Sequence, residues 1–292
     1  MDNLTEDYDL LERKESMVMV TELLFYVIIA IAAIMILPSF VIYPGIYYGR
    51  WRSNGPTFEL ETKDKTKIEG MILEPEDPTT CKTTFIFFHG NAQNMGNRMP
   101  FMQSLVKEYN SYLVSIDYRG FGQSYGFPTE SGLINDAESI FERVLNDNRL
   151  KDTKKIVYGR SLGGAVAVSL TEKYSEQIDG VILENTFTSV KDVAKGFSYL
   201  KSVPEFLFDM GLVGNTWNSL ERLIKLENKG PPILFVSGSM DRIVNPKLME
   251  KIYDSYKGIK ANYTVKDGTH NDTWSKGGDE YYLKLKNFIN LV

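Results

Sequence analysis

Short apolar runs rich in β-branched and aromatic residues alternate with segments of helical spacing along most of this 292-residue chain. Some runs are continuous, such as Thr83–Phe88 (TTFIFF), which is typical of a strand buried on both faces. Strands that alternate with helices predict βαβ units and a mainly parallel sheet covered by helices on both faces. Two runs at residues 57–63 and 67–75 precede the alternation, and we expect them to form an antiparallel edge.

The later runs extend this pattern to about eight strands in one α/β domain over residues 57–292. The predicted strands after the first three lie at residues 112–117, 155–158, 181–184, 233–237 and 262–265. The predicted helices lie at residues 98–109, 130–145, 162–174, 246–256 and 279–291. Residues 191–229 contain no predicted strand but several aromatic side chains, and we predict a helical lid insertion there.

A stretch of 21 uncharged residues, LLFYVIIAIAAIMILPSFVIY at positions 23–43, precedes the predicted domain. At roughly 1.5 Å per residue, about 20 apolar residues cross the hydrocarbon core of a bilayer. Tyr43, Arg50 and Trp51 then resemble the aromatic and basic belt of a membrane interface. We predict a tail at residues 1–22, one transmembrane helix at 23–43 and the lipid bilayer as a partner.

A cleaved signal peptide is the alternative, but its apolar part is normally shorter and its leading tail is basic, whereas this tail is acidic. Basic residues on the two sides of the stretch nearly balance, so the positive-inside rule leaves its orientation open.

The composition excludes several kinds of chemistry. The net charge is −5 and there is no long basic run, so we expect no nucleic-acid partner. Cys81 is the single cysteine and therefore forms no intramolecular disulfide. The two histidines are distant in sequence, no carboxylates have ligand spacing, and no glycine-rich phosphate loop is present. We expect neither a metal ion nor a cofactor.

The sharpest motif is G-R-S-L-G at residues 159–163, directly after a predicted strand and directly before a predicted helix. A turn this tight between a strand and a helix needs glycine at both flanks, here Gly159 and Gly163, and it holds the central residue in strained backbone. Ser161 is therefore the candidate nucleophile of a nucleophile elbow. Without the strand and helix around it, a five-residue pattern of this kind would be a weak signal.

A serine hydroxyl needs a base to take its proton, and there are only two histidines to choose from. His270 follows the last predicted strand, and the chain order serine, acid, histidine selects it over His89. Asp241 follows the penultimate predicted strand and is the candidate acid, with Glu184 in reserve. His89 and Gly90 end an early strand, and we interpret them as a structural loop.

The predicted oxyanion hole consists of backbone N–H groups on the two sides of the nucleophile. One donor is the N–H of Leu162, which directly follows Ser161. The other is the N–H of Asn91 or of its neighbour Ala92, on the loop after the early strand.

Six stretches together resemble one known family: FFHGNAQN, DYRGFGQSYG, YGRSLGGAVA, LENTF, SGSMDRIV and GTHNDTW. They are similar to the Bem-type α/β-hydrolase domain proteins, which are also grouped with the ABHD proteins. The resemblance implies the α/β-hydrolase fold and a serine hydrolase whose catalytic serine, aspartate and histidine fall on Ser161, Asp241 and His270. It also implies a single-pass, type II protein of the endoplasmic reticulum, another endomembrane or the plasma membrane, and we expect a monomer.

Relatives of this kind suggest a substrate that carries an acyl ester or thioester, including lipids and palmitoylated proteins. The aromatic side chains of the insertion are candidates to line an acyl pocket or simply to pack the insertion onto the sheet; they are Phe197, Tyr199, Phe206, Phe208 and Trp217. Two other functions stay open from the sequence. One is a membrane-tethered scaffold that keeps hydrolase architecture, and the other is an acyltransferase, which shares the first half-reaction with a hydrolase.

Overall fold

The structure is a computed structural model that describes residues 17, 20–26, 43, 57–92, 94–196 and 216–292. Within these residues eight strands form one sheet. They are β1 (Thr57–Glu61), β2 (Lys67–Leu73), β3 (Thr83–Phe88), β4 (Tyr112–Ile116), β5 (Lys154–Arg160), β6 (Gly180–Glu184), β7 (Ile233–Gly238) and β8 (Lys260–Val265). The spatial order is β1-β2-β4-β3-β5-β6-β7-β8.

The pairing of the strands confirms the predicted sheet. β1 pairs antiparallel with β2, and β2 pairs antiparallel with β4. Every pair from β4–β3 to β7–β8 is parallel. The two early strands therefore form the expected antiparallel edge of an otherwise parallel sheet, in an α/β-hydrolase fold.

The described helices connect and cover these strands. They are α1 (Met99–Tyr109), α2 (Glu130–Asn146), α3 (Leu162–Tyr174), α4 (Val190–Ala194), α5 (Ser219–Lys225), α6 (Pro246–Ser255) and α7 (Thr273–Leu291), and a 3-10 helix at Met95–Arg98 precedes α1. α7 starts earlier than the predicted helix at 279–291. The chain turns inside it at Gly278, whose φ is 50°, so its first section has a separate direction that the sequence pattern did not reveal.

Two hydrophobic clusters lie on opposite faces of the sheet because side chains alternate along each strand. Ile86 and Phe88 of β3 belong to one cluster, together with apolar residues of α2, α3 and α6. Phe85 and Phe87 belong to the other, together with apolar residues of α1 and α7. Both faces of the central strands are covered, as their continuous apolar runs predict.

The N-terminal predictions lie mostly outside the described residues. Residues 20–26 are helical and their side chains are exposed. Among the residues that the structure describes, no helix has both the length and the apolar character needed to span a bilayer. The predicted tail at 1–22 and span at 23–43 therefore stay predictions.

Tyr43 is the exception, because it lies in the core of the α/β domain. Its side chain is fully buried, its hydroxyl accepts a hydrogen bond from Trp217 Nε1–H at 2.9 Å, and its ring meets that of Phe121 edge to face. The prediction that Tyr43 lies in a membrane-interface belt is wrong, because its hydroxyl is bonded to the Trp217 indole and its ring packs in the apolar core.

The predicted insertion at 191–229 is described only at its two ends. α4 and α5 flank residues 197–215, which lie outside the described part of the chain together with Phe197, Tyr199, Phe206 and Phe208. Trp217 is fully buried in the core, so this aromatic residue packs the insertion onto the domain and does not line an open pocket.

Candidate active site

The turn from β5 to α3 holds Ser161 in unusual backbone. Its φ is 54° and its ψ is −120°, and residues other than glycine rarely adopt a positive φ. Two contacts hold this conformation. The Ser161 N–H donates to the Glu184 carbonyl at 2.9 Å, and Thr186 Oγ1 donates to the Ser161 carbonyl at 2.7 Å. The strain is thus supported by the end of the neighbouring strand, as at nucleophile elbows.

The two glycines of the motif make close backbone contacts. A Cβ on Gly159 would lie 2.2 Å from the carbonyl oxygen of Gly163. A Cβ on Gly163 would lie 1.9 Å from the carbonyl oxygen of Phe88, at the end of β3. The backbones of β3, β5 and α3 therefore touch at this point, which leaves no room for a side chain.

Three side chains from separate loops meet at the elbow. His270 Nε2 lies 3.0 Å from Ser161 Oγ, and His270 Nδ1 lies 2.7 Å from Asp241 Oδ2. A carboxylate only accepts hydrogen bonds, so Nδ1 carries the proton and Nε2 is free to accept from the hydroxyl. Asp241 and His270 are buried. This is the geometry in which a histidine acts as a base toward a serine.

The backbone of its own loop orients the Asp241 carboxylate. Its second oxygen, Oδ1, accepts the N–H groups of Ile243 at 2.8 Å and Val244 at 2.9 Å. With both oxygens engaged, the carboxylate has one orientation from which Oδ2 can reach the imidazole.

The loop of His270 is held through its backbone carbonyl. That carbonyl accepts hydrogen bonds from the Arg160 guanidinium and, at 3.2 Å, from Asn185 Nδ2. Asn185 Oδ1 also accepts the N–H of Gly238 at 2.9 Å, at the end of β7. One side chain thus ties the base of the acid loop to the histidine loop.

A polar cluster that we call the histidine clamp consists of Arg160, Asn185, the buried carboxylate of Glu184 and the hydroxyl groups that donate to that carboxylate. Glu184 pairs with Arg160 at 3.3 Å and accepts the hydroxyls of Thr273, Tyr158 and Tyr281. Burial raises the pKa of both tyrosines well above the usual value, so both hydroxyls stay protonated and donate. The reserve candidate acid therefore faces these donors and not the imidazole ring.

Sequence reasoning missed this clamp. Its only signal was the position of Glu184 and Asn185 at the carboxyl end of a buried strand, where the loops of an α/β sheet meet.

The loop after β3 lies on the other side of Ser161. A Cβ on Gly90 would lie 3.4 Å from Ser161 Cβ, so this backbone runs beside the candidate nucleophile. His89 is fully buried, and its Nδ1 lies 2.8 Å from the Gly90 carbonyl oxygen. Asp117 accepts the N–H of Met95 at 2.7 Å and so holds the far end of the loop.

The predicted oxyanion donors lie on these two elements. Asn91 and Ala92 follow Gly90 and are half-buried. Leu162 is the first residue of α3, where a backbone N–H has no partner within the helix. Within the described residues, no group of three or more His, Cys, Asp or Glu side chains is placed to hold a metal ion.

Comparisons with known proteins agree with this architecture. The profile of the family described as serine aminopeptidase, S33, matches residues 79–216. Protein bem46 of Schizosaccharomyces pombe is 34% identical over 262 residues, which cover 85% of this chain and 84% of that protein. The chain belongs to the Bem-type family of α/β-hydrolase domain proteins.

Two other relatives of this Bem-type chain come from a plant and a yeast. The α/β-hydrolase domain-containing protein WAV2 of Arabidopsis thaliana is 29% identical and matches 79% of this chain and 77% of its own length. The membrane protein YNL320W of Saccharomyces cerevisiae is 33% identical and matches 79% of this chain and 78% of its own length. The membrane character of this Bem-type chain is thus suggested by the name of one relative.

Solved structures support the fold of the Bem-type chain. The esterase Pf2001 of Pyrococcus furiosus superposes with a TM-score of 0.64 at 19% identity, over 83% of this chain and 94% of that one. Est1E of Butyrivibrio proteoclasticus, solved with ferulic acid, gives a TM-score of 0.62 at 15% identity, over 80% and 97%. At this level of identity, the likeness establishes the fold alone and indicates nothing about the substrate.

Proposed function

We propose that this protein is a membrane-anchored serine hydrolase that cleaves acyl ester or thioester bonds through Ser161, His270 and Asp241. The observation that carries the proposal is the continuous chain of hydrogen bonds from Ser161 Oγ through the imidazole to Asp241, starting at a strained elbow. The family and the esterase fold support ester hydrolysis at a coarser level.

In the first half-reaction, Ser161 Oγ attacks the acyl carbonyl carbon while its proton moves to His270 Nε2. Backbone N–H groups of Leu162 and of Asn91 or Ala92 receive the oxyanion. The bond to the alcohol or thiol then breaks, and the leaving group takes the proton from His270. In the second half, a water molecule attacks the acyl carbonyl carbon while its proton moves to His270 Nε2. The bond to Ser161 Oγ then breaks, Oγ takes that proton back from His270, and the carboxylic acid leaves.

Asp241 acts through His270. Its carboxylate keeps the proton on Nδ1 and stabilises the imidazolium that forms when Nε2 takes the serine proton. The carboxylate is buried and already oriented by two backbone N–H groups, so it does not have to reorganise during the reaction.

The anchor and the substrate class rest on other observations. The uncharged stretch at 23–43 and the name of the yeast relative support membrane attachment, which would hold the site near acylated lipids and palmitoylated proteins.

A fluorophosphonate probe tests the chemistry because it labels only an activated serine. Wild type should label, Ser161→Ala should not, and His270→Ala should lose at least about a thousandfold in labelling rate. Ser255→Ala is the matched control, since the hydroxyl of that half-buried serine on α6 donates to the backbone carbonyl of Lys251. Folded wild type that stays unlabelled would contradict the proposal and favour a scaffold function.

A further inference from the structure

An open cleft of about 460 Å³ lies directly beside His270. Two segments form it: the loop that carries Asp241, and the loop that carries His270 itself. The residues that matter for its chemistry are Met240, Arg242, Ile243, Asp267 and Thr269.

The position of the cleft in the sheet decides which part of an ester reaches it. Ser161 ends β5, and the loop with the predicted oxyanion donors follows β3 on one side of it. The loops of Asp241 and His270 follow β7 and β8 on the opposite side. A carbonyl oxygen directed toward the β3 loop therefore leaves the alcohol or thiol part directed toward His270, which must protonate it.

Hydrogen bonds between the two loops fix the walls of the cleft. The Met240 N–H donates to the Gly268 carbonyl at 2.8 Å, and the Asp267 N–H donates to Ser239 Oγ at 2.9 Å. The Thr269 N–H donates to Asp272 Oδ1 at 2.6 Å. These bonds tie the two walls of the cleft to each other.

The lining favours an uncharged, apolar group. Met240 and Ile243 are each 47% exposed, and both line the cleft. Arg242 and Asp267 carry opposite charges, so the cleft as a whole does not select a charged ligand of either sign. What remains is apolar surface that a ligand would remove from water.

We propose that this leaving-group cleft binds the alcohol or thiol part of the substrate and selects an uncharged apolar chain there. The inference rests on the proposed function and adds a specificity to it. When the acyl C–O or C–S bond breaks, the departing oxygen or sulfur takes the proton from His270 Nε2 and the chain leaves through the cleft. Met240 and Ile243 act as specificity-determining residues.

The test compares two ester series on the full chain in detergent, with acid release as the readout. Ethyl, propyl, butyl and pentyl acetate vary only the alcohol, whereas ethyl acetate, butyrate and hexanoate vary only the acyl part. In wild type, kcat/KM should rise about twofold to fourfold for each methylene added to the alcohol. Ile243→Asn and Met240→Gln should flatten that rise, while the dependence of kcat/KM on acyl-chain length stays that of wild type.

Ile259→Asn is the matched control, because Ile259 is 62% exposed and is not part of the cleft lining. Equal alcohol slopes in wild type and both cleft variants would overturn the inference. It would also be overturned if the variants lost activity only on substrates in vesicles, since Met240 and Ile243 would then contact the membrane. Failure of the proposed function looks different: no ester of either series is cleaved and the probe does not label Ser161.

Discussion

The elbow of Ser161 and the loop of His270 meet at one point but are held in place by different physical means. The elbow is fixed by backbone contact, with two glycines where any side chain would collide. The histidine loop is fixed by buried polar side chains, in which Arg160 and Asn185 hold one carbonyl and Glu184 holds Arg160. A steric requirement is visible in the sequence as a short local motif, whereas a polar network is built from residues that are far apart in the sequence.

The two devices should also fail differently. A steric clash cannot be relieved in small steps, so a side chain added at the elbow should disrupt the backbone packing there as a whole. A network of several hydrogen bonds loses its members one at a time, and each loss costs a share that depends on what stays unpaired. Four substitutions separate these behaviours, from the largest expected effect to the smallest.

Gly163→Ala should have the largest effect. The new Cβ would lie 1.9 Å from the Phe88 carbonyl oxygen, so we expect a loss of more than about 4 kcal/mol in the free energy of unfolding and little folded protein. Chemical denaturation measures it. Gly278→Ala is the matched control, since nothing lies within 4 Å of that Cβ and only the φ of 50° opposes it. A loss at Gly163 no larger than that of the control would mean that the backbone around Phe88 moves aside to admit the methyl group, and that the close contact is not rigid.

Glu184→Ala should destabilise the protein by about 3–5 kcal/mol, because it leaves the buried Arg160 cation without its partner. It also removes the acceptor of the Tyr158 and Tyr281 hydroxyls. The folded fraction should show a lower kcat, because Arg160 then holds the His270 carbonyl less firmly. Chemical denaturation measures the loss of stability, and the rate of probe labelling measures the effect on the active site. The exposed Glu280 provides the control, and Glu280→Ala should change neither quantity measurably.

Asn185→Ala should cost about 2–3 kcal/mol, since the Gly238 N–H loses its acceptor and the His270 carbonyl loses one donor. Asn185→Asp separates the two contacts, because it keeps the acceptor and loses the donor. We expect Asp to keep the acceptor for the Gly238 N–H but to gain no stability over Ala, because its buried carboxylate would face the His270 carbonyl. kcat should stay low and KM should change little. If Asp restored kcat fully, the link to His270 would have no role in positioning it.

Tyr281→Phe should have the smallest effect, about 1 kcal/mol, because the Tyr158 hydroxyl still donates to the same Glu184 oxygen. Activity should equal that of wild type. A loss of activity comparable to that of Glu184→Ala would show that both tyrosines are needed to hold the carboxylate.

The fold was largely predictable from the sequence because the buried strands are continuous apolar runs and most helices have apolar residues at helical spacing. The elbow was readable because a five-residue motif contains its whole steric requirement. The nomination of Asp241 and His270 depended on chain order and on the scarcity of histidine, and the structure places both side chains within hydrogen-bond distance of each other.

The histidine clamp was not readable, because its members come from β5, β6 and α7 and no periodicity connects them. The burial of Tyr43 was missed for a similar reason. An aromatic residue after an apolar stretch has the same local pattern whether it meets lipid headgroups or the indole of Trp217. Only the tertiary contact separates the two environments.

The hydrogen bond between Trp217 and Tyr43 also bears on how this enzyme is prepared. A recombinant protein trimmed to begin at residue 57 would lack the phenol and leave a core indole N–H with no acceptor, besides an unfilled space beside Phe121. Poor yield of such a trimmed protein would then reflect a damaged interior and not a need for lipid. A shortened protein should therefore keep Tyr43.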